Sequence, residues 1–331
     1  MKKYRFAAAA AILLTLAMVF SGCVNTPSHT DPEPTQEATA APTEEPEATH
    51  PPAKENLAKV ILIMGQSNAV GASLYSPLKD ILEKERYDKL LKNGFENVRI
   101  VYYAGEDSAT NYPSEKRLAT TTVAKLFDKV KFGKSLTGAQ FGLEVGMAEY
   151  LEEQHPDDTY YIIKVARGGE SLNPKFTEGG VLFEKAMTMI EGCFSILKKE
   201  GLNPEIISIC WMQGENEAGT KATAENYIKD LEKMVEALRR RLADYAPWGG
   251  IPFIDGGISS HWTYYKTVNN IKKDFAERSD NNYFIDSIAL GLTFDKEPKG
   301  NPDLAHFDSE SMLILGREFA KSVDLAYEKV K

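Results

Sequence analysis

The fold this sequence predicts is an α/β three-layer sandwich, with a mainly parallel, doubly wound sheet between two layers of helices. Three observations predict it. Short apolar runs rich in β-branched residues recur along the chain, amphipathic helical patterns separate them, and several runs end in glycine-containing polar turns. Alternating strands and helices of this kind build a parallel sheet with helices on both faces.

The first strand, 58–64, carries Val60-Ile61-Leu62-Ile63-Met64, a run too short for a globular helix and suited to a strand covered on both faces. Further strands are expected at 97–103, 159–165, 205–211, 251–258 and 282–287. Helices are expected at about 76–93, 142–154, 181–200, 222–244, 263–278 and 308–329. The last is the clearest: Asp308 or Ser309 can cap it, and Met312, Leu315, Phe319 and Val323 mark one face at helical spacing. The stretch from Gly105 to Gln140 fits the alternation poorly. It is long, polar and broken by Asn111-Tyr112-Pro113, Gly133 and Gly138, as expected of a surface excursion or of a lid over the strand ends.

Ahead of this domain, expected over residues 57–331, the sequence has a different character. Residues 1–22 begin with Lys2, Lys3 and Arg5, continue through an apolar stretch to Phe20, and end in Ser21-Gly22 before Cys23. A basic start and a short apolar segment make a secretory signal. Small residues immediately before the cysteine resemble a bacterial lipobox, which implies cleavage before Cys23, lipid attachment there, and a protein anchored to the outer face of a membrane without spanning it. Residues 23–56 then form a linker with seven prolines and seven acidic residues against one lysine. Such a composition cannot bury a core and should extend, reaching on the order of 100 Å if polyproline-like.

Loss of the signal would take the net charge from −9 to −12, half of it in the linker. The folded part is only mildly acidic, which argues against a nucleic-acid partner. Cys193 and Cys210 read as buried free thiols, although an exported location also permits their pairing. No histidine pair or cysteine cluster has metal-ligand spacing, and no cofactor motif is present.

The polar turns carry the chemistry. The first strand breaks into Gly65-Gln66-Ser67-Asn68, where Ser67 is either a nucleophile presented at a strand end or the cap of the next helix. A serine nucleophile needs a base, and the base needs an orienting group. Of the five histidines, His29 and His50 lie in the linker and His155 at a helix end, leaving His261 and His306. His306 follows Asp303 by three residues, so the carboxylate can reach Nδ1 while Nε2 faces the serine; capping and turn roles fit the same pair. Trp211-Met212-Gln213-Gly214-Glu215 ends another strand, with Gln213 able to offer an amide to an oxyanion and Glu215 able to organise the loop. Lys164 to Ser171 ends a third, where Gly168-Gly169 lets backbone approach a ligand closely; Lys164 and Arg167 are read as structural.

Together these residues resemble the SGNH hydrolase superfamily, specifically its sialate O-acetylesterase and acetylxylan esterase branch, carbohydrate esterase family six. The resemblance covers residues 58–320 through four motifs in family order: Gly65-Gln66-Ser67-Asn68, Lys164 to Gly169, Trp211 to Glu215, and Asp303 to His306. The chain departs from the pattern at Leu143, where a proline is usual, and at Glu217, where an aspartate is usual. The resemblance implies a flavodoxin-like sheet and a serine esterase that removes O-acetyl groups from xylan-type polysaccharide or sialic acid. It further implies Ser67 as nucleophile, His306 as base and Asp303 as its orienting acid. The oxyanion hole would comprise the Ser67 and Gly169 backbone N–H groups and the Gln213 amide, with Gln66, Asn68 and Glu215 as the supporting loop. Tyr102, Tyr103, Trp262, Tyr264 and Tyr265 could stack on sugar rings, while core or surface packing fits each of them equally. The alternative is a glycan-binding lipoprotein on a degenerate hydrolase fold.

Overall fold

The structure is a computed structural model that describes residues 54–331. The signal segment, Cys23 and nearly all of the linker lie outside the described residues. Seven strands make the central sheet: β1 (Leu57–Gly65), β2 (Val98–Tyr103), β3 (Asp128–Lys129), β4 (Tyr160–Ala166), β5 (Asn203–Met212), β6 (Phe253–Gly256) and β7 (Asn282–Ile285), in the order β3-β2-β4-β1-β5-β6-β7. Six of them run parallel, and only the two-residue β3 is antiparallel, on the edge of β2. Leaving out β2 and β3, the remaining five strands follow the flavodoxin order, so those two extend an otherwise flavodoxin-like sheet at one edge.

The short helix α1 (Ser67–Val70) follows β1 and begins with Ser67. The long helices that cover the sheet are α2 (Leu143–Gln154), α3 (Val181–Lys199), α4 (Lys221–Arg241), α5 (Tyr265–Ala276) and α6 (Ser309–Val330). Consecutive side chains on a strand point to opposite faces, and the end of β5 displays both layers. Trp211 donates its indole N–H to the Tyr227 hydroxyl on α4 at 3.0 Å, whereas Met212 and Phe319 of α6 close together over Gly256 on the other face. The middle of β1 is fully buried, as its unbroken apolar run requires.

On the α6 face, α2 and α6 touch through glycine. A Cβ on Gly146 would fall 2.2 Å from the Leu313 carbonyl oxygen, and one on Gly316 would fall 2.2 Å from that of Leu143. Backbone meets backbone at both points, and any side chain there would force the helices apart.

The expected helix over 76–93 is broken into a 3-10 turn (Ser76–Asp80), a short α-helix (Lys84–Asp88) and a π turn (Lys89–Asn93). Its apolar stripe loses phase: Leu78 and Leu82 are four apart, Tyr87 is five further on, and Ile81 points to solvent. The cap of α6 also differs from expectation. Asp308 precedes the helix, but its carboxylate accepts the Lys296 and Glu297 N–H groups, and Glu297 in turn accepts the Ser309 N–H at 2.8 Å. Residues 105–140 form short helices, the edge strand β3 and a ribbon in which Gln140–Phe141 pairs with Ser73–Leu74. Cys193 and Cys210 are free and buried.

Candidate active site

The turn after β1 is tightly constrained. Gly65 has φ +142°, and a Cβ there would sit 2.0 Å from the Met212 carbonyl oxygen, the same oxygen that accepts the Gln66 N–H at 3.0 Å. β1 therefore turns while held against the end of β5. α1 follows immediately, with Gln66 in the cap position making no side-chain cap bond, so Ser67 is the first helical residue and does not cap the helix. Its N–H lies in the first turn, where no intrahelical acceptor exists.

The far end of α1 is anchored from below. Val70 gives its carbonyl to the Lys164 ammonium at 2.9 Å and to the Ser135 hydroxyl at 2.8 Å. Lys164 is wholly buried, with the Lys134 carbonyl at 2.8 Å and Glu144 at 3.1 Å. Burial lowers the Lys164 pKa and the Glu144 carboxylate opposes that shift. The structural reading of Lys164 fits this geometry. Arg167 is different: it is half-exposed on the wall of a cavity, with Nε 3.3 Å from Glu170.

That cavity, of about 580 Å³, opens at the carboxyl ends of β1, β4 and β5, where ligands collect in open α/β sheets. Gln66, Ser67, Gly168, Gly169, Asn216 and His306 are among its walls. Gly168 lies against the nucleophile candidate, since a Cβ on it would be 3.5 Å from Ser67 Cβ. Of the five aromatic residues that could meet sugars, only Trp262 lines the cavity. Tyr102 and Tyr103 sit in β2, and Tyr264 and Tyr265 pack against the core.

His306 reaches the cavity from the loop before α6. Its Nδ1 lies 2.6 Å from Asp303 Oδ2, and the turn between them closes through the Asp303 carbonyl and the His306 N–H at 3.3 Å. The segment is also tied to the α1 region: Phe307 donates its N–H to Asn68 Oδ1 at 3.2 Å and accepts the Ser73 hydroxyl on its carbonyl at 2.6 Å. Asn68 in turn donates Nδ2 to Glu215 Oε1 at 2.7 Å. Glu215 is fully buried, and burial pushes its carboxyl above the usual range, against the pull of the Asn68 hydrogen bond, Lys272 and His306. His261 lies apart, exposed and against the Trp262 and Phe294 rings.

Gln213 is not among the cavity walls. It is fully buried, and its amide nitrogen is shared between Glu217, the Gln66 side-chain oxygen at 3.3 Å and the Glu170 carbonyl at 3.3 Å. Glu217 also accepts the Leu172 N–H at 2.7 Å, tying the β4 and β5 loops together. Beneath them Lys272, also buried, bridges Asp255 Oδ1 at 2.6 Å and the Gln213 carbonyl at 2.5 Å. Burial raises the Asp255 carboxyl and the Lys272 ammonium draws it back.

Sequence reasoning missed Ser73, and it reached Glu106, Leu136 and Gln140 only as part of the 105–140 stretch read as a surface excursion or a lid. The first ties down the His306 loop, and the other three line the cavity. Among the described residues no group of histidine, cysteine, aspartate and glutamate side chains could hold a metal ion, and no helix is long and apolar enough to cross a membrane.

Residues 57–324 match a family model described as carbohydrate esterase, sialic acid-specific acetylesterase. Among solved structures, NanS is similar at TM-score 0.57 and 16% identity, with 83% of this chain and 98% of that one covered. A protein from Arabidopsis thaliana is similar at TM-score 0.56 and 16% identity, with 82% and 99% covered. These likenesses concern the fold. No curated protein matches the chain in sequence.

Proposed function

The chain belongs to the family of carbohydrate esterases described as sialic acid-specific acetylesterases and is a carboxylic ester hydrolase, and from that premise we propose that it deacetylates sugars through Ser67, His306 and Asp303. The observation that carries this reading is the 2.6 Å contact between Asp303 and His306 Nδ1, with His306 and Ser67 on the walls of one cavity. Nδ1–H donated to Asp303 leaves Nε2 as the basic nitrogen.

In this mechanism Ser67 Oγ attacks the acetyl carbonyl carbon while His306 Nε2 takes the hydroxyl proton, and Asp303 stabilises the imidazolium that forms. The Ser67 and Gly169 N–H groups meet the oxyanion. Collapse of the tetrahedral intermediate breaks the ester bond, and the sugar oxygen leaves with the proton from His306. Water then attacks the acetyl-serine by the same route and releases acetate. Gln213, turned inward, supports these donors from behind.

Hydrolysis of a chromogenic acetate ester by the wild-type protein and by Ser67→Ala tests the reading. Equal rates would sink it.

For the substrate we favour an O-acetylated sialic acid over acetylated xylan. Among the described residues Arg167 is the one lysine or arginine on the cavity wall, and a sugar carboxylate entering beside it would meet a guanidinium. Acetate release from both substrates, with Arg167→Ala alongside, decides this: the variant should raise KM for the sialic acid and leave xylan unaffected. Xylan as the faster substrate of the wild type would refute the choice.

The location proposed is the bacterial cell surface, with lipid on Cys23 and the linker as tether, on the strength of the signal and lipobox-like sequence. Metabolic labelling with a palmitate analogue should mark the wild type and not Cys23→Ala.

A further inference from the structure

A relay of this kind works only if the base is held in register with the nucleophile, yet His306 and Ser67 are far apart in sequence and lie on separate segments, a loop and the first turn of α1. The junction between those segments runs through two side chains, Asn68 and Ser73, of which Asn68 also reaches Glu215. Asn68, next to Ser67 and 1% exposed, uses both ends of its carboxamide: Oδ1 accepts the N–H of Phe307, the neighbour of His306, and Nδ2 donates to Glu215. Ser73 takes the other side of Phe307 by donating to its carbonyl. The residue that follows the base is thereby held at both its N–H and its C=O by the segment that follows the nucleophile.

The direction of the amide matters as much as its presence. Phe307 offers a backbone donor and so requires an acceptor, whereas an ionised carboxylate can only accept. Placed between them, an asparagine has one productive orientation, oxygen toward Phe307 and nitrogen toward Glu215. An aspartate at position 68 would set two carboxyl groups against each other in a buried site, and an alanine would leave the Phe307 N–H and one Glu215 oxygen without these partners.

We propose that Asn68 is the positioning residue that sets the register between Ser67 and His306, and that Glu215 acts through it by fixing which way its amide points. This rests on the serine-esterase reading, and the experiment separates the two. With the full-length protein and a chromogenic acetate ester, Asn68→Ala should lower kcat by about a hundredfold, as expected for misplacement of a catalytic group by about 1 Å, with KM nearly unchanged. Asn68→Asp should be similarly slow. The exchanged pair Asn68→Asp with Glu215→Gln recreates the contacts with donor and acceptor reversed. The amide introduced at position 215 would donate to the carboxylate introduced at position 68, whose other oxygen still accepts from Phe307. The kcat of this pair should recover most of the loss, a coupling between positions that contact each other.

Wild-type kcat in Asn68→Ala would overturn the proposal. So would an exchanged pair that melts like the wild type but remains as slow as Asn68→Ala. If Asn68→Asp does not fold, the exchanged pair measured against Asn68→Ala decides the matter alone. An inactive Ser67→Ala beside a fully active Asn68→Ala would reject this inference and leave the esterase reading standing, whereas a fully active Ser67→Ala would reject both.

Discussion

Replacing Gly65 by alanine should separate the turn that leads into Ser67 from the strand that supports it. At φ +142° an L side chain is strained, and its Cβ would stand 2.0 Å from the Met212 carbonyl oxygen and 2.6 Å from the carbonyl carbon. Real Cβ contacts essentially never fall below 3.0 Å, so the backbone must yield by about 1 Å. No side-chain rotation relieves the clash, because both atoms belong to β5, whose Met212 oxygen also holds Gln66 N–H. Strain of about 1–3 kcal/mol and weakening of that hydrogen bond by about 1 kcal/mol together come to roughly 2–4 kcal/mol. For a domain of this size the melting temperature should fall by roughly 5–15 °C. A 1 Å displacement of a catalytic group costs about a hundredfold in turnover, so kcat on a chromogenic acetate should fall by that order in the folded variant. Thermal denaturation and steady-state kinetics on the same preparation measure both effects. A Gly65→Ala protein with wild-type melting and wild-type kcat would refute the argument that this turn is set by contact with Met212.

Three further outcomes follow from the geometry. Lys164→Met leaves Glu144 buried without its cation and should destabilise the fold by about 3–5 kcal/mol in urea titrations, whereas replacing both members by apolar residues should cost less. Gln213→Ala should lower kcat by about tenfold, because the amide is committed to Glu217, Gln66 and Glu170; the hundred- to thousandfold loss typical of a direct oxyanion donor would mean that it turns to the cavity during turnover. Burial pushes the Cys210 thiol up to about 12 and the Cys193 thiol higher. The thiolate is the reactive form, and with both thiols buried and little of either ionised at pH 8, a Cys23→Ala protein should leave Ellman's reagent unreacted and yield two thiols once denatured.

The parallel strands and long helices were legible because their signal is local. β1, β4 and β5 are apolar runs that end in glycine turns, and α6 carries Met312, Leu315, Phe319 and Val323 on one buried face. The 76–93 segment misled because its charged, helix-favouring composition hides a stripe that drifts out of phase. The candidate triad was legible for another reason: Asp303 and His306 lie within one turn, so their contact needs no knowledge of the fold. The inward turn of Gln213 was not legible, since it depends on how Glu217 and Glu170 converge in space. Asn68 and Ser73 were equally opaque as partners of Phe307, being 239 and 234 positions away from it. Hydrophobic period carries no record of such pairs.

The glycine contact between α2 and α6 bears on how this scaffold can diversify. α6 begins three residues after His306, and α2 follows directly on Gly142, whose backbone lies against Gly71 at the end of α1. The interlock of Gly146 and Gly316 therefore acts as a gauge between the His306 loop and the helix that carries Ser67. Adding or deleting a residue in the first turns of either helix would shift that gauge by about 1.5 Å and rotate the contact by about 100°. Within residues 105–140 the last part shares that constraint, since Lys134 and Ser135 anchor the end of α1 and Gln140 pairs with Leu74, whereas the hydrogen bonds of residues 106–122 go elsewhere. Length variation among descendants of this scaffold should therefore accumulate between Glu106 and Thr122, where a new insertion can reshape the rim of the cavity beside Glu106 while the spacing of Ser67 and His306 is inherited intact.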